Sequence, residues 1–320
     1  MSIHFRHHYS GTIIYDNGTF SKINTKTKVT MAPASYTAWH PDGNLIAYTV
    51  CKLNVTFSSD KNKVVEVWDK NSDLIVYNVK TNTVTTSPKI STHDRENLPF
   101  WSPDGKWLYF ISAPEVNDSL SNIVYERYNL LRIGFDPEKL AWGNVDTLLT
   151  SKQTGKSITF PAVSPDGRYV TFCMIDHSYF SIFDRNSDLY LLDLETRKVE
   201  KADVINSNST DSYHTWSKNG RWMVFSSKRI DDICTRPYFT YFDVHGKFHK
   251  PFVLPQKDPS FYLEDARYIN LPTLVNGKVP IKNNEMRDFI TQKEHAVVFD
   301  QNVDIDALSG ATWLQTHGMN

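Results

Sequence analysis

Cysteine is scarce in this chain: Cys51, Cys173 and Cys234 are the only three in 320 residues. Three thiols cannot all pair with one another, and no Cys-x-x-Cys occurs, so neither a disulfide framework nor a zinc-type cysteine pair is expected. Each is expected instead as a small buried hydrophobe. Long apolar runs are missing as well, none approaching the roughly 18 residues of a membrane-spanning helix. Neither sign of charge is in excess: 35 basic residues stand against 36 acidic ones, a net of -1. That balance provides neither the basic footprint of a nucleic-acid binder nor a polybasic membrane patch. The opening "MSIHFRHHYSGTIIYDNG" has no charged leader ahead of an apolar segment, so no signal peptide is expected from it. Catalytic signatures are absent too: there is no Gly-x-Ser-x-Gly elbow, His-Glu-x-x-His, P-loop or Rossmann fingerprint.

What is present is a repeat. "SYTAWHPDGNLIAYTV" (35–50) returns as "NLPFWSPDGKWLYFIS" (97–112), "TFPAVSPDGRYVTFCM" (159–174) and "SYHTWSKNGRWMVFSS" (212–227). Proline presets φ for the second turn position, aspartate can bond back to the backbone, and Gly43, Gly105 and Gly167 can take the positive φ of a bulged hairpin. Asn219-Gly220 is itself a hairpin signal. After each turn, apolar residues fill both faces of a period-two pattern, which predicts a strand covered on both sides. Trp39, Trp101 and Trp216 are expected between blades, and Trp107 and Trp222 in structural roles.

A second phrase follows the hairpin: "DKNSDLIVYNVKTNTVTT" (69–86) matches "DRNSDLYLLDLETRKVEK" (184–201) and reads as strand, tight turn, strand. Four strands per unit, at Gly-to-Gly spacings of 62, 62 and 53, predict an all-β fold: a β-propeller of four-stranded antiparallel blades. The repeats lie near 35–87, 97–150, 159–202 and 212–255. Residues 1–28 add a partial N-terminal blade without its first strand, to be completed by a strand from 261–281 or from 295–300. Five blades are visible; six or more would need upstream sequence. The propeller is expected over 1–281, with 282–320 as a packing or capping extension. That extension would include a short amphipathic helix at 283–294 through Met286, Phe289 and Ile290, and another at 304–315.

"WSPDG" before an apolar strand, with "SDLYLLDLETR" after it, is similar to the repeat of TolB-like propellers, relatives of the WD repeat that also occur in propeller domains of some serine peptidases. The opening "GTIIYDNG…KINTKTK" and the tail "YINLPTLVNGKVPI" resemble Bacteroidetes proteins carrying such a propeller. The resemblance implies a propeller fold, a periplasmic setting and a protein or envelope partner. Longer members of that group can carry a Cys-x-x-Cys-His haem motif; this sequence has none, so no cofactor is carried over.

Metal readings do not outweigh structural ones. His4, His7 and His8 lack zinc-ligand spacing on a strand. "DKNSD" and "DRNSD" begin like a calcium loop, but Leu74 and Leu189 stand where glycine is required, and Lys80 where the twelfth position needs a carboxylate. Side-chain turns launching the third strand are the simpler reading. The acids Asp94, Glu96, Asp231 and Asp232 are expected in loops.

Strands alternate in direction within a blade. The tight one–two and three–four turns therefore share one face, and the longer two–three loops (52–72, 113–122, 175–187, 228–237) share the other. Phe57, Trp68, Tyr179, Phe180 and Phe183 interleave those loops and are the expected binding residues, since loops on a rigid scaffold carry recognition. The competing reading is that these aromatics only pin the loops to the blades. The sequence thus predicts a non-catalytic scaffold that binds a protein or ligand through its long-loop face, with no catalytic residue and no metal. The alternatives are a propeller lyase or hydrolase with a channel-mouth active site, or the propeller domain of a larger redox or peptidase protein.

Overall fold

The computed structural model of the chain describes residues 2–5, 11–16, 18–25, 34–51, 54–63, 65–116, 125–278, 281, 283–292 and 295–305. They form five sheets around an axis. Blade one holds β1 (Ser2–Phe5), β2 (Gly11–Asp16) and β3 (Thr19–Asn24). Blade two holds β4 (Ala34–Trp39) and β5 (Leu45–Cys51), then an inserted hairpin, β6 (Asn54–Phe57) and β7 (Val65–Trp68), then β8 (Ser72–Asn78) and β9 (Thr83–Thr85). Blade three is β10 (Arg95–Trp101), β11 (Trp107–Ala113), β12 (Asn129–Asp136) and β13 (Ala141–Leu149). Blade four is β14 (Ser157–Val163), β15 (Tyr169–Ile175), β16 (Asp188–Asp193) and β17 (Val199–Lys201). Blade five is β18 (Asp211–Trp216), β19 (Trp222–Ser227), β20 (Arg236–Tyr241) and β21 (Phe252–Val253). Within each blade neighbouring strands pair antiparallel in chain order. The all-β propeller of four-stranded blades is therefore the fold observed, with the extra hairpin as an addition the repeats did not foretell.

The Ser-Pro-Asp-Gly turn works through a relay of short bonds. Trp107 N donates to Ser102 Oγ (3.0 Å), and Ser102 Oγ donates to Asp104 Oδ1 (2.5 Å). Asp104 Oδ1 also accepts from Lys106 N at 3.0 Å, which closes the turn around Gly105 at φ 70°. Ser164–Asp166 and Ser217–Asn219 repeat the relay. In the first copy His40 takes the serine's place, and its ring reaches blade three, with Nε2 3.0 Å from Gly105 O and the ring 4.8 Å edge-on to Trp101.

Both faces of the second strands in blades two to four are buried, as in Leu45–Cys51 and Tyr169–Ile175, because neighbouring blades cover them. Apolar clusters join blades one and two, two and three, three and four, and four and five. Each fully buried side chain there, such as Phe110 or Phe172, contributes about 1.5–3 kcal/mol of apolar burial. Cys51, Cys173 and Cys234 are buried and none is in a disulfide; burial pushes the Cys173 thiol up to about 12.

After blade five the chain returns to the axis. Ile158 N donates to Tyr128 O and Asp211 N to Ser187 O, in each case the carbonyl just before a third strand. Ile269 N donates to the corresponding Thr235 O. Ser226 Oγ then donates to Asn270 O (2.7 Å) and Thr215 Oγ1 to Pro272 O (3.1 Å). Residues 269–274 thus lie against blade five in the place that the next blade's first strand takes elsewhere, without pairing as a strand. Buried Arg236 holds the turn that delivers them, donating to the carbonyls of Tyr262 (3.1 Å), Arg267 (2.7 Å) and Asp265.

The other proposed completing segment sits at the rim. β22 (His295–Ala296) pairs parallel with β3, and β23 (Val298–Phe299) pairs parallel with β9, so the tail staples blades one and two from outside. The helix Asn283–Ile290 lays Phe289 on Phe20 (5.2 Å), and Lys22 Nζ donates to Ile290 O at 2.9 Å, capping its C-terminal carbonyls. The helix expected at 304–315, from residue 306 on, lies outside the described residues. So do His7, His8 and the side chain of His4.

Candidate axial binding site

Every first strand of blades two to five carries a β-bulge at the same place. Two residues, Tyr36-Thr37, Leu98-Pro99, Phe160-Pro161 and Tyr213-His214, stand opposite one on the second strand. The residue opposite is always a buried aromatic: Tyr48, Phe110, Phe172 or Phe225. The first bulge residue is left-handed in all four blades, with φ of 48°, 52°, 50° and 30°. None is glycine, and such a backbone costs on the order of 1–3 kcal/mol per residue unless its surroundings hold it. Strain repeated four times around one axis marks the place where the fold aims side chains inward.

There they line a cavity of about 470 Å³. Its wall takes in the bulges, the residues following them (Phe100, Ala162 and Thr215), and Leu271-Pro272-Thr273 of the returning segment. The rings meet edge to face, with Phe160 4.3 Å from Tyr213 and 6.5 Å from Tyr36. No Asp, Glu, Lys or Arg lines it among the described residues. Its single imidazole, His214, is buried, which pulls its ordinary value down to about 4 and keeps it neutral at pH 7.

On the long-loop side, residues 177–184 pack against the rings of the cavity wall. Tyr179 lies edge-on to Tyr36 (6.2 Å) and Tyr128 (5.4 Å), and Phe180 reaches Tyr213 (6.0 Å) and Phe160 (6.4 Å). The hydroxyls of Ser157 and Thr159 donate to the carbonyls of Ser178 and Tyr179, and those of Ser181 and Ser212 bond to each other. The β6–β7 hairpin straps this loop down. Ser178 Oγ donates to Val67 O (3.2 Å) and Arg185 N to Asn62 O (2.8 Å). Lys63, 2% exposed, pairs with Glu66 at 2.9 Å, lies 3.9 Å from Asp184, and donates to His177 O at 3.1 Å. Burial raises the Asp184 carboxyl, and Lys63 opposes that rise.

Behind Leu98 sits a buried polar layer. Asp69 accepts from Asn97 Nδ2 at 2.8 Å, and burial pushes its carboxyl up to about 6 against the lowering effects of the Tyr179 hydroxyl and the Arg95 charge. Arg95 is 1% exposed, donates to Pro114 O at 3.3 Å, and lies over the Tyr128 ring at 5.3 Å. Glu96, expected in a loop, is instead a buried residue of β10 whose carboxyl burial pushes up to about 8.

Of the five residues expected to bind, Tyr179 is buried behind the cavity wall, and Phe180 and Phe183 are half-buried beside it at 5.7 Å from one another; none of the five lines the cavity. Trp68 is half-buried at the base of the hairpin, and Phe57 is 88% exposed on it. The second Asp-x-Asn-x-Asp stretch sends its oxygens apart: Asp184 Oδ1 accepts from Asn186 N (2.8 Å), while Asp188 pairs with Lys201 (2.7 Å). Among the described residues no three His, Cys, Asp or Glu converge as metal ligands. The left-handed ring itself was missed from sequence, because tyrosine, leucine and phenylalanine carry no signal for positive φ. One written clue existed: "NLPT" with "NGK" after it (270–278) echoes "NLPF" with "DGK" after it (97–106).

No protein-family profile and no curated protein matches the chain. Among solved structures it is similar to a protein from Agrobacterium tumefaciens described as a TolB (16% identity over 70% of this chain and 81% of that one, TM-score 0.40). It is also similar to an oligogalacturonate lyase in complex with manganese (12% identity, 76% and 73% covered, TM-score 0.41). A third is prolyl oligopeptidase B from Galerina marginata, of which this chain spans only 35% (12% identity, 78% of this chain, TM-score 0.45). The fold assignment rests on the strand pairing above, which is the propeller of four-stranded blades that the repeats implied.

Proposed function

We propose that the protein is a non-catalytic binding propeller whose ligand enters the axial cavity and rests against the rings of Tyr36, Phe160 and Tyr213, which Tyr179 and Phe180 back from the long-loop side. The observation that carries this reading is the ring of left-handed bulges around a cavity of about 470 Å³, a size within the range of small-molecule and side-chain sites. Acid–base catalysis needs a donor and an acceptor with matched proton affinities at one place. This wall offers one neutral imidazole and tyrosine hydroxyls. The long-loop face contributes by backing the wall: the strap and its buried ions hold residues 177–184 against its rings.

A second surface is favoured by one observation. Val55 and Phe57 alternate outward on the hairpin and are 61% and 88% exposed, which suits a protein or envelope partner docking on the strap.

A thermal-shift panel of small molecules and peptides tests both surfaces. A ligand at 100 times its dissociation constant adds about 2.7 kcal/mol of stability. Shifts lost in Phe160→Lys but kept in Phe57→Ser support the axial site, and the reverse pattern supports the strap. Shifts indifferent to both variants would count against the whole reading.

A further inference from the structure

We infer that the axial cavity admits an uncharged, ring-bearing group and rejects a charged one of the same shape; this rests on the cavity being a ligand site, as proposed above. The wall has no ionic side chain among the described residues, and Asp69 and Arg95, buried behind Leu98, already offset one another. An ion entering would lose its hydration without gaining a counter-charge. Three of the five rungs place proline second, Pro99, Pro161 and Pro272, and proline has no N–H to offer an anion. What remains are ring edges, from Tyr36, Phe160 and Tyr213, which hold another ring edge-to-face. The left-handed backbone fixes where those edges point, so the grip is set before the ligand arrives.

Two dyes with the same rings separate charge from shape: N-phenyl-1-naphthylamine, neutral at pH 7, and 1-anilinonaphthalene-8-sulfonate, which is anionic. Fluorescence titration of the whole chain is expected to show one site binding the neutral dye at least tenfold tighter. Thr273→Lys changes an exposed lining residue and should weaken the neutral dye, tighten the sulfonate, and shrink that preference tenfold or more. Phe160→Gly relieves the left-handed backbone while removing a ring, so it should cost at least tenfold in neutral-dye affinity with little loss of Tm. Trp222→Ser, on the open face of blade five, should leave both dyes unchanged. If both dyes bind equally and both respond to Thr273→Lys, the selectivity inference falls while the cavity stands as a ligand site. If neither responds, or Trp222→Ser abolishes the signal, the dyes sit elsewhere and both the inference and the axial reading fall.

Discussion

Replacing Glu96 with glutamine should stabilise the protein, and by an amount that grows with pH. Glu96 is 2% exposed on β10, its carboxyl accepting from the Thr92 hydroxyl and, at 3.4 Å, from Thr92 N. Burial raises it from the ordinary 4.5 to about 8, helped by the buried Asp73 carboxylate. Below pH 4.5 both folded and unfolded chains hold this proton, and it has no effect on stability. Between 4.5 and 8 the unfolded chain has released the proton and the folded one has not, so stability falls as pH rises. From pH 5.5 to 8.5 that loss approaches roughly 3 kcal/mol at 1.36 kcal/mol per pH unit, a ceiling that relaxation of the site will lower. The amide of Glu96→Gln would keep an acceptor for Thr92 and carries no proton to lose. Urea unfolding of both proteins at pH 5.5, 7.0 and 8.5 reads the difference directly, because Asp69 and other raised carboxyls act equally in both. Parallel stability curves would refute the claim that Glu96 is held protonated at neutral pH.

Three shorter expectations follow from the same packing. Lys63→Met leaves Glu66 and Asp184 buried without their cation, so it should cost about 3–5 kcal/mol or release the strap. Hydrogen exchange of 54–68 and 177–184 would then accelerate together, and adding Glu66→Leu should restore most of the loss. Arg236→Met removes the donor shared by the carbonyls of Tyr262, Asp265 and Arg267; limited proteolysis within 265–275 should rise at least tenfold while blades two to four stay intact. Gly105→Ala meets both a φ of 70° and the His40 ring, which the new Cβ would overlap, whereas Gly43→Ala meets nothing within 4 Å. Chemical denaturation should show the first costing more than the second, which is expected to lose only about 1 kcal/mol for its backbone.

The architecture could be read in advance because its signals are local. Pro-Asp-Gly turns depend on three residues and a nearby serine, and period-two apolar runs depend on the strand alone, so four copies in register announced the blades. The candidate site was less legible. Tyr179 and Phe180 were picked out as aromatic loop residues, yet their place on the axis depends on Ser157, Thr159 and Ser212, which approach from two first strands. The hairpin between Asn54 and Trp68 was read as part of a long loop, and its buried Lys63 and Glu66 are tolerated because Asp184 and His177 meet them from blade four. Glu96 was expected in a loop as well: a carboxyl in a buried strand makes sense only once it can keep its proton.

By itself, the order of residues determined the repeat, its turns, the number of visible blades and which loops share a face, since each follows from bonds between near neighbours in the chain. Only the tertiary structure decided that Tyr36, Leu98, Phe160 and Tyr213 turn left-handed and face one cavity, and that Leu271 joins them from the far end of the chain. A residue with a side chain takes that backbone shape when packing from several blades outweighs its strain, and packing among segments so distant in sequence leaves no local mark to read.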